Sequence, residues 1–118
     1  MLPNKMRISE HATNSLRRLQ SNTGLTVNIG ARLAFFTSIE RGYRFNPKKD
    51  VVEHTGRELD KHTWLGSHSA LPELLLKQYY PEFSMSQFHD AWVAHVEDGS
   101  NHVVRIANLK ASLAQFSN

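Results

Sequence analysis

The residues best suited to chemistry in this 118-residue chain are its seven histidines. His62 and His68 are six positions apart, as are His89 and His95. Neither spacing puts two imidazoles on one helical face, as metal ligands three or four apart would be, and no HExxH is present. His89 beside Asp90, and His95 with Glu97 or Asp98, would join a metal site only if folding gathered them. Isolated histidines on amphipathic helices are far more often surface or satisfied core residues, so a metal-dependent hydrolase is a distant alternative. With no cysteine there is no thiolate nucleophile, disulfide or cysteine-type zinc site. No GxSxG turn frames a serine, and no glycine-rich loop with a following lysine marks a nucleotide phosphate site. The expectation is a non-enzyme with no catalytic residues, metal ligands or cofactors.

The arginines and lysines are more informative because they are unevenly spread. Up to residue 50, nine basic residues (Lys5, Arg7, Arg17, Arg18, Arg32, Arg41, Arg44, Lys48, Lys49) face three acidic ones, Glu10, Glu40 and Asp50. From Val51 onward five basic residues face eight acidic ones, so the total of +3 hides two halves of opposite sign. A basic front half is the electrostatic footprint of a polyanion partner, since Lys and Arg displace counterions from a nucleic-acid backbone. A solvated face gives the same count, and charge alone does not separate the two readings.

The elements that must position these charges follow from periodicity and caps. Lys5-Met6-Arg7-Ile8-Ser9 alternates as a half-buried strand does, with Lys5, Arg7 and Ser9 outward and Met6 and Ile8 inward. Ser9 caps a helix over Glu10 to Ser21, in which Ala12, Leu16 and Leu19 recur at helical spacing and Glu10, Asn14, Arg17 and Ser21 share the other side. Gly24 supplies a left-handed closing residue. Thr26 caps a second helix from about Val27 to Arg41, whose Ile29, Leu33, Ala34, Phe35, Phe36 and Ile39 form a broad apolar surface. Gly42 to Gly66 reads as a long connection, with only Val51 and Val52 hinting at extended structure. A third helix spans about Ala70 to Tyr80, with Leu71, Leu74, Leu75 and Tyr79 as core candidates. A fourth opens with a capping box at Ser84 and Gln87, carries Phe88, Trp92, Val93 and Val96, and stops at Asp98-Gly99. Asn101 then caps a last helix with Val103, Ile106, Ala107, Leu109, Leu113 and Phe116.

Strand, helix, tight turn and helix in this order resemble a ribbon-helix-helix module, in which two copies pair their strands and lay alternate side chains in the DNA major groove. The free N–H groups near Thr26, Val27 and Asn28 suit a phosphate oxygen. Reading farther, Leu2-Pro3-Asn4, Leu16-Arg17-Arg18-Leu19-Gln20, Thr23-Gly24-Leu25-Thr26-Val27-Asn28-Ile29, Arg32-Leu33-Ala34-Phe35, Gly56-Arg57-Glu58-Leu59 and His62-Thr63-Trp64-Leu65-Gly66 together resemble the DndE family of DNA sulfur-modification proteins. The likeness covers roughly residues 2–110; Val27 stands where relatives are expected to carry proline, and Pro47 to His54 matches nothing in the family pattern. It implies a small, mainly helical protein of the bacterial phosphorothioation system, which replaces a non-bridging phosphate oxygen by sulfur. It further implies a homotetramer that binds double-stranded DNA, preferring nicked DNA, beside a cysteine desulfurase, an iron-sulfur sulfurtransferase and an ATPase-like subunit.

The chain is therefore expected to be one mainly α domain over residues 1–118, with a ribbon-helix-helix-like front and about three further helices. Broad apolar faces and paired ribbons point to a closed homo-oligomer. The expected DNA-binding residues are Lys5, Arg7, Arg17, Arg18, Thr26 and Asn28, with Arg32 better placed for an ion pair of the fold and Lys48 and Lys49 on an exposed loop. The Gly56 to Gly66 stretch is assigned to packing or subunit contact. The absence of an apolar run of membrane-spanning length, and a start unlike a signal peptide, set the expectation of a cytoplasmic, membrane-free protein. The alternative function is a sequence-specific ribbon-helix-helix repressor, reading base edges with Lys5 and Arg7.

Overall fold

A computed structural model describes residues 2–61 and 70–116, with side chains described to Leu109. His62, His68 and the stretch to Gly66, together with the side chains of Leu113 and Phe116, lie outside the described residues. In the front strand, β1 (Lys5–Arg7), Met6 and Ile8 are buried and Lys5 and Arg7 face outward as expected. Ser9, expected outward, is buried instead, its hydroxyl capping the helix that follows and donating to Glu97 Oε1 at 2.9 Å. The partner of β1, however, belongs to the same chain. β2 (Glu58–Asp60) pairs with it antiparallel, placing Leu59 opposite Met6, Asp60 opposite Lys5 and Glu58 opposite Arg7. Apolar faces apolar and acid faces base, the cross-strand arrangement that stabilises a short ladder. Backbone bonds from Lys61 N to Asn4 O (2.6 Å), Ile8 N to Arg57 O (3.1 Å) and Gly56 N to Ile8 O (2.8 Å) extend it. The ribbon thus needs no second copy, correcting the intermolecular pairing expected from the sequence. Val51 and Val52 form no strand, and Val51 is exposed.

Lys61 also ties down the chain's start. Its ammonium lies 2.6 Å from Glu73 Oε1 and 3.2 Å from Leu2 O, while Leu2 N donates to the same Glu73 oxygen at 3.1 Å. Burial alone would push the Glu73 carboxyl up, but the Lys61 hydrogen bond, the Leu2 N–H and the neighbouring positive charges outweigh it and hold the group below 4.5. Because the pair is mostly shielded from solvent, Lys61→Ala leaves a poorly solvated carboxylate; the expected cost is about 1–3 kcal/mol at pH 7, measured by urea unfolding. A depressed carboxylate gives stability that is present above its ordinary value and lost below it, so this penalty shrinks as the pH falls through 4.5.

The first two helices begin and end on local signals. α1 (Glu10–Thr23) is capped by Ser9, whose hydroxyl accepts from Ala12 N at 3.1 Å, and closed by Gly24 at φ 81°, whose N–H returns to Gln20 O. It buries Ala12, Leu16 and Leu19 and leaves Glu10, Asn14, Arg17 and Ser21 outside, as its spacing requires. α2 (Val27–Glu40) is capped by Thr26, which accepts from Ile29 N at 3.3 Å. Its core face is Val27, Ala31, Ala34, Phe35 and Ile39, whereas Ile29 and Leu33 remain exposed at 43% and 44%.

α3 (Ala70–Tyr79) seats Pro72 and Leu76 in the core; Leu71 and Leu74, expected there, are exposed, and Leu75 and Tyr79 are half-buried. The capping box forms as expected, with Ser84 N donating to Gln87 Oε1 (2.9 Å) and Gln87 N to Ser84 Oγ (3.3 Å). The helix it opens does not stop at Gly99. α4 runs unbroken from Met85 to Phe116, replacing the two helices expected there. α1 and α2 both pack on it. Gly99 sits where α4 crosses α2, and a Cβ there would overlap the Ala34 carbonyl. The glycine is needed for close approach of two backbones, not for ending a helix.

Beside the crossing a buried polar chain fastens α4 to its surroundings. Ser38 Oγ donates to Asp98 Oδ2 at 2.8 Å, so its lone pair must meet His95 Nδ1 at 2.9 Å, which therefore carries the proton. His95 Nε2 is then the acceptor for the Tyr80 hydroxyl at 2.8 Å, and that hydroxyl in turn accepts from Phe45 N. Tyr43 and Phe35 pack edge-to-face with the same imidazole, at centroid distances of 5.0 and 5.8 Å. Burial, then the Arg44 charge, pushes His95 down from 6.5 to about 4, so the ring is neutral at pH 7.

Candidate nucleic-acid interface

The outer face of α1 holds Arg17 and Arg18, both exposed. As neighbours on a helix they project in different directions, and each opens onto its own cleft. Arg17 lines a cleft of about 330 Å³ with Glu10, Thr13, Asn14, Thr55, Gly56 and Arg57. A hydrogen-bond chain sets its far wall: Thr13 Oγ1 donates to Ser9 O at 2.9 Å and accepts from Arg57 N at 2.9 Å. Gly56 has no room for a side chain there, since a Cβ would collide with Ser9 O and Thr13 Oγ1; this part of the Gly56 to Gly66 stretch therefore serves packing. Arg7 reaches the same corner and donates to Gly56 O at 3.0 Å.

Arg18 lines the second cleft, about 490 Å³, between α1 and α4. Its α1 wall is His11, Asn14, Ser15 and Arg18, and its α4 wall is Asn101, Val104, Arg105 and Asn108. Asn14 belongs to both clefts and forms the ridge between them. Arg57 and Arg105 are the residues that sequence reading missed. Each is remote from Arg17 and Arg18 along the chain; backbone bonding to Ile8 and Thr13 brings Arg57 close, and the continuation of α4 past Gly99 brings Arg105.

The other expected binding residues are placed differently. Lys5 and Arg7 are exposed, but each has an acid directly across the ladder. Thr26 spends its hydroxyl on its own helix, and Asn28 is half-buried at the second position of α2, on the opposite side of the Gly24 turn from α1's last turn. Arg32 is half-buried and already engaged. Lys48 and Lys49 stand on an exposed turn closed by Asn46, whose Oδ1 accepts from Lys48 N at 2.9 Å. Arg44 serves the fold, stacking 4.6 Å from the Tyr79 ring centroid and donating to Tyr79 O at 2.7 Å.

Among the described residues His11, His54 and His95 make hydrogen bonds within the fold, whereas His89 Nε2 and His102 Nδ1 are buried without a hydrogen-bond partner. His54 bridges Asp90 Oδ1 (2.8 Å) and Arg7 O (3.2 Å), and His89 packs 4.6 Å from it. Burial, then the His54 charge, holds His89 below 6.5. Among the described residues no three His, Asp or Glu side chains converge as a metal site requires. No described helix is long and apolar enough to cross a membrane.

This mainly helical chain matches the family model described as DNA sulphur modification protein DndE over residues 5–111. The chain belongs to the DndE family. It is similar to DndE from Escherichia coli B7A, a protein involved in DNA phosphorothioation modification, at 46% identity and a TM-score of 0.81, covering 85% of this chain and 97% of that one. It is also similar to a glycine-to-lysine mutant of DndE at 43% identity and a TM-score of 0.80, over 86% of this chain and 98% of the other. A search of curated proteins gives no match.

Proposed function

We propose that the chain is a non-catalytic subunit of the bacterial DNA phosphorothioation system that binds double-stranded DNA, preferring nicked DNA, and presents it to the sulfur-transfer partners. Those partners are a cysteine desulfurase, an iron-sulfur sulfurtransferase and an ATPase-like subunit. The observation that carries the reading is the exposed Arg17-Arg18 pair on the outer face of α1, with no acidic or hydrogen-bonding side-chain partner among the described residues. Arg17 and Arg18 contact phosphates, Lys5 and Arg7 extend the charged surface along β1, and the Val27 and Asn28 N–H groups after the Thr26 cap offer a further phosphate position. The reading also rests on family membership. In-chain pairing of β1 leaves the repressor alternative without its two-chain ribbon.

Contacts of this kind are salt-dependent and indifferent to base sequence. Replacing Arg17 and Arg18 together by alanine is expected to weaken binding to every duplex and to lower the slope of log K against log salt by about 2. Unchanged affinity and slope in a fluorescence-anisotropy series would remove the assignment.

The protein acts as a homo-oligomer, a tetramer, in the cytoplasm. Ile29 and Leu33 on α2 and Ile106 and Leu109 on α4 are exposed, and Leu33 and Ile106 line one cleft between the two helices, an apolar face suited to a subunit contact. Leu33→Asp with Ile106→Asp is expected to yield a smaller species by light scattering with helicity retained; an unchanged mass would place the interface elsewhere.

A further inference from the structure

The α1–α4 groove is distinguished by the chemistry of its walls. Arg18 and Arg105 line it, no carboxylate does, and neither guanidinium has a side-chain partner among the described residues. The Arg17 cleft, by contrast, contains Glu10. His11 adds a second effect. Its Nε2 lies 2.7 Å from Asn101 Oδ1, and a carboxamide oxygen only accepts, so the imidazole donates and the Asn101 NH2 is left to donate to something else. Asn14 and Asn108 supply further amide donors. A groove of about 490 Å³ furnished with two guanidinium forks and several N–H groups, and no anionic wall, is complementary to a ligand rich in anionic acceptors.

From this we infer that the α1–α4 groove is a phosphate seat, in which Arg18 and Arg105 hold a phosphodiester of the bound DNA and Asn101 donates to the same group. The inference rests on the DNA-binding reading and extends it: the backbone is gripped on the α4 side of the Asn14 ridge as well as at Arg17. Arg105, which lies on the far side of Gly99, becomes a binding residue because α4 is continuous. A lone guanidinium would give charge alone; the paired forks and the fixed amide also give the seat a geometry.

The test is fluorescence anisotropy of the full chain with one labelled 20-base-pair duplex from 50 to 200 mM KCl, comparing wild type, Arg17→Ala, Arg105→Ala, Arg105→Lys and Asn101→Asp. Each of these groups is exposed, and circular dichroism checks that every variant is folded. One phosphate contact contributes about 0.9 to the log–log slope, so Arg105→Ala is expected to lower the slope by about 1 and shrink the loss of affinity between 50 and 200 mM salt about fourfold. Arg105→Lys retains the slope with weaker affinity, since the charge stays and the fork is lost. Asn101→Asp, which puts a carboxylate in the groove, weakens binding at least as much as Arg105→Ala. If Arg17→Ala weakens binding while Arg105→Ala and Asn101→Asp match wild type, the seat is wrong and the DNA-binding reading stands. If wild type binds no duplex at 50 mM KCl, both fail together.

Discussion

Gly99→Ala is expected to destabilise the protein by about 1–3 kcal/mol and lower its Tm by roughly 4–12 °C. The sign is the informative part. In an ordinary helix interior, alanine replaces glycine with a gain of about 0.5–1 kcal/mol. Here the new methyl would lie on the Ala34 carbonyl, an atom of helical backbone rather than the movable end of a side chain. Relief requires α2 and α4 to separate, and the same crossing carries the Ser38, His95 and Asp98 hydrogen bonds. A stabilised or neutral variant in a thermal melt would mean that the helices do not approach as described.

The second large effect is a pH dependence set by His95. Its folded pKa is depressed to about 4 from an ordinary 6.5. Between those values the unfolded chain binds a proton that the folded chain refuses, so the stability contribution is fully present above 6.5 and lost as the pH falls to 4. The displacement corresponds to about 3 kcal/mol, and full burial of the residue leaves little solvent screening to discount it. Protonation would put a hydrogen on Nε2 facing the Tyr80 hydroxyl, removing the acceptor that this hydroxyl needs. His89, also held low by burial, acts in the same direction, and Glu73 continues the decline below 4.5. Urea midpoints taken from pH 7 to 4 are expected to fall steeply in wild type. In His95→Gln the midpoint is lower at pH 7, but the decline between 6.5 and 4 is shallower. Parallel curves for the two proteins would contradict the network.

How far the fold is legible in the sequence depends on the range of the forces involved. Ser9, Gly24, Thr26 and the Ser84–Gln87 box act within a single turn, and each stands where its residue type indicates. The Lys5-to-Ile8 alternation also survives, because one face of that strand is buried whichever strand pairs with it. β2 is hidden because Glu58-Leu59-Asp60 offers one apolar residue and becomes a strand only against β1. Gly99 misleads for a related reason. Asp98-Gly99 is a reasonable stop by local chemistry, and only the passage of α2 across α4 shows why the glycine is there.

The candidate site divides along the same line. Arg17 and Arg18 are legible, since they sit on the polar side of an amphipathic helix with recognisable caps. Arg57 and Arg105 are not, because their nearness to α1 depends on backbone bonding to Ile8 and Thr13 and on an unbroken α4. Ile29, Leu33, Leu71 and Leu74 show the converse limit: an apolar residue at helical spacing belongs to some buried face, but periodicity does not say whether that face is inside the chain.

The central claim, that this chain grips the DNA backbone and prefers a nick, is tested most directly by its affinity for intact, nicked and gapped duplexes of one sequence across a salt range. The account predicts a steep negative slope of log K against log salt on all three, little change when the sequence is scrambled, and tighter binding to the nicked duplex. Salt-insensitive binding, or a preference of several powers of ten for one intact sequence, would contradict it.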